Sequence, residues 1–238
     1  MSNLIEGQLN EAERQILRNA VLGETRKPKV VVEVGTWLGG GSTIHLLNAL
    51  QENDEGHLWG IEADRSIYER MLANIAAAAP EAKHRFTPLF GLSKHILPRW
   101  IAEQSQPCTV DVAFLDGGNN PGEQITEFRL LDPLIPVGGQ LLSHDARMRK
   151  GKWLVPYVSA LDNWESKLCN ASENDLFYAR KTSPAPSPGS LSTANRLLLK
   201  KRLEPAEIAA AVLPSWLCGF ILKLLPSGYS RRLSEGGA

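Results

Sequence analysis

The chain has 238 residues, with 26 basic and 26 acidic side chains and a formal net charge of zero. That length suits one sizeable α/β core with an appendage, and the balanced charge supplies no overall field for nucleic acid or anionic lipid. Cys108, Cys169 and Cys218 are far apart and form no C-x-x-C pair. This argues against a disulfide framework or zinc knuckle and for a reducing, cytoplasmic setting.

The N-terminus, MSNLIEGQLNEAERQ, lacks both the cationic start and the apolar core of a signal peptide. Glu6–Leu22 reads as an amphipathic helix, with Leu9, Ile16, Leu17 and Ala20 roughly on one side. Val30–Val34 is β-branched apart from Glu33, which suits a strand of a parallel sheet. Four glycines then fall within the seven residues Gly35–Gly41, and after Ser42 the spacing of Ile44, Leu47 and Leu50 turns helical. Strand, glycine loop and helix start together make a nucleotide-type site, because free N–H groups and the helix dipole face the crevice. Trp37 stands where a G-x-G-x-x-G dinucleotide fingerprint would need glycine, and no lysine completes a P-loop. The motif is instead E-x-G-x-x-x-G, from Glu33 to Gly39.

The alternation continues with a strand in HLWGIEA and a helix over Ser66–Ala79, then a strand in HRFTPLF and a helix over Ser93–Glu103. Glu62, 27 positions after Gly35, is placed at a strand tip, where a carboxylate can accept from both ribose hydroxyls of an adenosine-containing ligand. The plainer reading is a solvated strand-end glutamate. In VDVAFLDGG, Asp111 marks the start of the fourth strand and Asp116 its carboxyl end, at the switch point where such sheets bind ligands. Gly117-Gly118 lets backbone approach a ligand there. A helix over Glu123–Leu131 leads to the strand in GGQLLSHD, which sets His144 and Asp145 at the same edge. Asp116 and Asp145 are a pair of hard oxygen donors for a divalent cation. His144 can be read as a ligand, a general base or a structural histidine bonded to a carbonyl.

A helix near Trp153–Asp162 follows, with Trp153 and Trp164 read as core packing ahead of acceptor-pocket walls. His45, His57, His84 and His95 share no spacing. ESKLCNA and DLFYARK lack an intervening helix, so a terminal hairpin with an antiparallel last strand is expected. The fold class is α/β, a doubly wound, mostly parallel seven-stranded sheet. Near Thr182 the composition becomes Pro/Ser-rich, giving a division into a domain over 1–181, a linker over 182–193 and a helical extension over 194–238. Helices are expected at Ala194–Arg202 and Pro205–Leu225, interrupted by Pro214. The uncharged run Ile208–Leu222 has 15 residues, short of the ~20 that span a bilayer. Trp216, Phe220 and Leu224 favour packing on the domain, or a homodimer or higher homo-oligomer, over membrane-surface contact.

Taken together, VVVEVGTWLGGGST, GIEAD, FLDGG and LLDPLIPVGGQLLSHDA occur in an order and spacing similar to those of class I S-adenosylmethionine-dependent methyltransferases. Over roughly Lys29–Lys181 the chain resembles small-molecule O-methyltransferases of the catechol and antibiotic-sugar types, which have a Rossmann-like fold. The resemblance implies that Glu33, Gly35, Thr36, Gly39 and Ser42 surround the methionine half of S-adenosylmethionine. Glu62 and Ala63 would meet the ribose, and Gly91 and Ser93 would lie along the adenine. Asp116 would contribute to both the cofactor and the catalytic end, where Asp116, His144 and Asp145 match catalytic and metal-ligand positions. The implied cofactors are S-adenosylmethionine and a divalent cation (Mg²⁺ or Mn²⁺), histidine suiting Mn²⁺, Fe²⁺ or Zn²⁺ better than Mg²⁺. The chain departs from the pattern at Asn119, where the catechol type carries a lysine base, and at His144-Asp145, where relatives carry Asp-Asn or paired acids. The expected activity is methyl transfer, with divalent-metal assistance, to a hydroxyl of a small-molecule acceptor that no residue pattern names, with no nucleic-acid partner. The rivals are a metal-independent N- or O-methyltransferase using His144 or Asp145 as base, a non-catalytic binding protein, and an NAD-type Rossmann enzyme. The last is disfavoured by Trp37 and by the lack of a Tyr-x-x-x-Lys pair.

Overall fold

The computed structural model describes residues 5–23, 26–104, 108–205 and 207–208. Five strands alternate with helices in the expected order: β1 (Val30–Val34), α2 (Thr43–Asn53), β2 (His57–Glu62), α3 (Arg65–Ala78), β3 (Phe86–Phe90), α4 (Ser93–Glu103), β4 (Val112–Leu115), α5 (Pro121–Leu131) and β5 (Gln140–His144). Helix α1 (Glu11–Leu22) precedes them; α6 (Gly151–Ser159), β6 (Trp164–Leu168), β7 (Leu176–Lys181) and α7 (Pro188–Arg202) follow. The sheet runs β3-β2-β1-β4-β5-β7-β6. Strands β1 to β5 are mutually parallel, and β7 lies antiparallel between β5 and β6, as the helix-free terminal pair predicted.

Side-chain alternation divides the core between the two faces of the sheet. Val32, Val34, Ala113 and Leu115 belong to one apolar cluster, while Val31, Val112, Phe114 and Leu142 belong to the other. The second cluster is closed by Leu17 and Val21 of α1 against Leu46 and Leu50 of α2. Trp164 is buried in the first against Phe128, with ring centroids 5.8 Å apart, so it packs the core as expected. Asp111 fixes the start of β4, its carboxylate accepting from the N–H groups of Lys29 and Val30 and pairing with Arg26.

Two helix starts differ from the sequence expectation by about five residues or more. Helix α1 starts at Glu11 rather than Glu6, because Asn10 forms a reciprocal capping box with Glu13. The segment before it crosses the glycine loop. A Cβ on Gly40 would lie 2.4 Å from the carbonyl oxygens of Ile5 and Glu6, and one on Gly7 would lie 2.4 Å from the Gly40 carbonyl carbon. Part of the bare backbone in that loop therefore receives the chain's own N-terminal segment. Helix α7 begins at Pro188, inside the stretch read as linker, with Ser187 as N-cap and proline in the first turn. Its Ala194 and Leu198 enter the same cluster as Leu154 and Val158 of α6, so the helix packs on the domain.

Of the remaining extension, 209–238 lies outside the described residues, and with it Cys218 and nearly all of Ile208–Leu222. Among the described residues no helix is long and apolar enough to cross a membrane.

Candidate active site

The ends of β1, β2 and β4 meet where the strand order reverses, the position at which doubly wound sheets bind ligands. A cavity of about 1230 Å³ opens there, and its wall includes Gly35, Trp37, Glu62, Ala63, Gly91, Ser93, Asp116, Asp145 and Lys150. Another cavity, of about 800 Å³, lies at the opposite edge around Asp111 and Gly138. That edge carries none of the expected site residues.

Gly35 sets the geometry of the binding edge. It has φ +87°, and a Cβ there would sit 2.5 Å from the Asp116 carbonyl oxygen and 2.8 Å from the Gly117 nitrogen. Its N–H donates to the Ile61 carbonyl at 2.9 Å, so this one residue draws three strand ends together. At the tip of β2, the Glu62 carboxylate accepts from the backbone N–H of Trp37 (2.9 Å), Ala63 (2.8 Å) and Asp64 (2.9 Å). A carboxylate accepts about four such bonds, so capacity remains, chiefly on Oε2, for a ribose hydroxyl. Glu62→Ala is expected to weaken S-adenosylhomocysteine binding by roughly 10- to 150-fold, the worth of a charge-assisted bond of about 1.5–3 kcal/mol. Calorimetric titration of the variant checks this, and unchanged affinity would remove Glu62 from the site.

The other glycine-loop residues stand behind the cavity wall. Glu33 is fully buried, and the hydroxyls of Ser42 and Thr43 both donate to it. Burial, opposed by those two bonds, pushes its carboxyl up to about 8. Glu33 thus ties β1 to the start of α2. Gly39 has φ +84°, and a Cβ there would meet the Ile75 side chain at 2.9 Å. A larger residue would press on α3 through Ile75. Thr36 is buried as well, and its hydroxyl has no partner among the described residues.

At the other end of the cavity Asp116, His144 and Asp145 converge as expected, with donor atoms all within 4.8 Å of one another. Two residues that the sequence reading did not single out complete the cluster. Lys150, from the start of α6 and 4% exposed, places Nζ 2.6 Å from Asp116 Oδ1 and 2.9 Å from Asp145 Oδ2. Glu13, from α1, lies 3.6 Å from His144 Nε2 and accepts from Ser172 Oγ at 2.6 Å. His144 Nδ1 faces Asp116 at 3.2 Å.

These contacts fix the charge states. Burial disfavours the imidazolium, but its hydrogen bond to Asp116, the Glu13 carboxylate 3.6 Å away and the charges of Asp116 and Asp145 outweigh it and hold His144 at about 10. Burial likewise opposes the Lys150 ammonium, and the two aspartates outweigh it and raise its pKa. Burial would raise Glu13 too, yet the nearby His144 and hydrogen bonds from Ser172 and the Asn10 N–H bring it down to about 2. The surrounding carboxylates thus favour the imidazolium form of His144, which argues against the base role that the sequence allowed and for an ion-paired one. Asp116, His144 and Asp145 are the right donor types for a divalent ion, but the position between the two aspartates is taken by the Lys150 ammonium. A metal held by both carboxylates would have to displace it.

The Glu13–His144 contact has a signed pH consequence. The lowered Glu13 pKa contributes stability that is present above its ordinary 4.5 and lost as pH falls through about 2. The raised His144 pKa contributes stability that is complete below its ordinary 6.5 and lost as pH rises through about 10. Melting temperature should therefore decline on both sides of about pH 4.5–6.5 from these groups, and Glu13→Gln should shrink both slopes. Identical pH profiles for the two proteins would contradict the pairing.

Comparison with known proteins agrees with this architecture. A sequence-family profile described as a methyltransferase domain matches residues 32–146. No protein of curated function matches the sequence. Among solved structures, the O-methyltransferase TomG of Streptomyces achromogenes, involved in tomaymycin synthesis and in complex with SAM, is similar at 19% identity and TM-score 0.60. The match covers 77% of this chain and 84% of TomG. The O-methyltransferase of Bacillus cereus in complex with SAH is similar at 19% identity and TM-score 0.58, over 76% of this chain and 86% of that one. A methyltransferase of Geobacter sulfurreducens follows at 14% identity and TM-score 0.56, over 74% and 80%. The chain has the class I S-adenosylmethionine-dependent methyltransferase fold and resembles the small-molecule O-methyltransferases.

Proposed function

We propose that the protein is an enzyme that transfers the methyl group of S-adenosylmethionine to a hydroxyl of a small molecule. The observation that carries this is one cavity that runs from Glu62 and Ser93 to the Asp116–Asp145–Lys150 cluster. Its first part offers an acceptor for ribose, and its second offers charged groups for chemistry. In the reaction the sulfonium S–CH₃ bond breaks as the O–CH₃ bond forms, leaving the thioether S-adenosylhomocysteine. Holding sulfur, methyl and acceptor oxygen in line supplies a large part of the barrier reduction. The acceptor proton passes to a carboxylate, for which Asp145 is the better placed, being the more exposed of the two aspartates at 18% against 12%. Lys150 then faces the oxygen on which negative charge develops, a preorganised donor in a water-poor site.

A second reading is favoured by the three donor atoms within 4.8 Å. Asp116, His144 and Asp145 would hold a divalent cation, which when bound polarises the acceptor oxygen as a Lewis acid. Lys150 and His144 would then have to give up their present contacts. Exhaustive chelation separates the readings. With Lys150 as the site's cation, turnover is expected to persist in EDTA; a loss restored by Mn²⁺ or Mg²⁺ would favour the metal reading.

A further inference from the structure

One buried carboxylate in the cavity wall has no role in methyl transfer. Glu127, on the inner face of α5, is 2% exposed and lines the cavity beside Gly91, Ser93 and Gly117. Its Oε1 accepts from the Ser93 hydroxyl at 2.5 Å. Its Oε2 is buried and has no hydrogen-bond partner among the described residues. Buried polar atoms are normally paired, and an orphaned acceptor in a cavity wall is a position that a ligand or water donor can complete.

We infer that Glu127 reads the adenine of the cofactor, its Oε2 accepting from the exocyclic amino group while Oε1 is held by Ser93. The inference rests on the S-adenosylmethionine reading and assigns a further binding residue within it. Two features of the surroundings support it. Lys94, the residue after Ser93, also lines the cavity but is a donor only, and cannot pair with an amino group. The Gly117 backbone, just beyond β4, lies beside Glu127, a Cβ there falling 3.6 Å from Oε1, so no side chain at that position covers the carboxylate. Burial, opposed by the Ser93 bond, raises the carboxyl to about 7. In either protonation state an oxygen remains to accept from the amino group. The expected consequence is selectivity for a 6-amino purine, because a base lacking the amino group leaves the buried oxygen unpaired.

The test is calorimetric titration with S-adenosylhomocysteine and with its analogue lacking only the 6-amino group. The wild-type protein should prefer the amino form by about 10-fold, the typical worth of one such hydrogen bond. Glu127→Leu should bring the preference close to unity, whereas Glu127→Gln, which keeps a carbonyl acceptor, should retain it. A preference undiminished in Glu127→Leu would overturn the assignment. Should that variant fail to fold, the wild type decides alone: equal affinity for the two ligands also overturns it. Binding of neither ligand by folded wild-type protein would instead defeat the S-adenosylmethionine reading beneath it.

Discussion

Replacing Lys150 with methionine is expected to lower folding stability by about 3–5 kcal/mol, the usual cost of removing one partner from a buried ion pair. Nζ lies 2.6 Å and 2.9 Å from two carboxylate oxygens, and the residue is 4% exposed. Its loss would leave Asp116 and Asp145 facing each other with only His144 to offset them. Methionine roughly preserves the volume, so the effect is electrostatic. Turnover should fall by about 100- to 1,000-fold, as when one preorganised donor to a developing oxyanion is removed. Denaturant unfolding and initial-rate measurements on the same protein give the two figures. A Lys150→Met/Asp145→Asn double variant should recover part of the stability but not the rate, because it removes one uncompensated charge without restoring a cation. Unchanged stability and rate in Lys150→Met would make the lysine a bystander.

Gly35→Ala is the second large effect. A side chain at φ +87° costs about 1–3 kcal/mol in backbone strain. Forcing the Asp116 and Gly117 backbone away from a Cβ, 2.5–2.8 Å off before relaxation, costs about 1–3 kcal/mol more. The ends of β1 and β4 must separate, so affinity for S-adenosylhomocysteine should fall together with stability. Gly138→Ala is the control. It shares φ +87°, but a Cβ there meets nothing within 4 Å. Only the conformational cost should appear, with ligand affinity unchanged. Equal effects of the two substitutions would show that close strand approach plays no part.

How far the sequence revealed this arrangement depended on whether local signals coincided with tertiary ones. The strand ends were legible because Val30–Val34, apolar but for Glu33, and the apolar run Val112–Leu115 are followed by glycine and acid, and the parallel sheet sends every such end to one edge. Glu62, Asp116, His144 and Asp145 followed from that alone. The partners of Glu33 were not legible, because a motif position does not say which way a side chain points. The pleat turns it under the loop to Ser42 and Thr43. The start of α1 was readable in principle from Asn10 and Glu13 as N-x-x-E, but apolar spacing drew the reading five residues too early. At α7 the Ser187-Pro188 helix start was masked by its Pro/Ser-rich surroundings.

Lys150 and Glu13 were not legible. Lys150 is one of four basic residues among Arg147, Arg149, Lys150 and Lys152. Only the path of the chain after β5 decides that it, and not a neighbour, faces the two aspartates. Glu13 reaches His144 across 131 positions, and no local pattern carries that distance. The Glu13–His144 and Lys150–Asp116 pairs are long-range electrostatic contacts, the kind that periodicity does not encode.

The central claim is that the cavity at the carboxyl ends of β1, β2 and β4 is an S-adenosylmethionine site. Parallel calorimetric titrations of the folded protein with S-adenosylhomocysteine and with NAD test it most directly. The account predicts one S-adenosylhomocysteine bound per chain, weakened by Glu62→Ala, and no measurable binding of NAD. Saturable NAD binding, or a folded protein that takes up no S-adenosylhomocysteine, would contradict it.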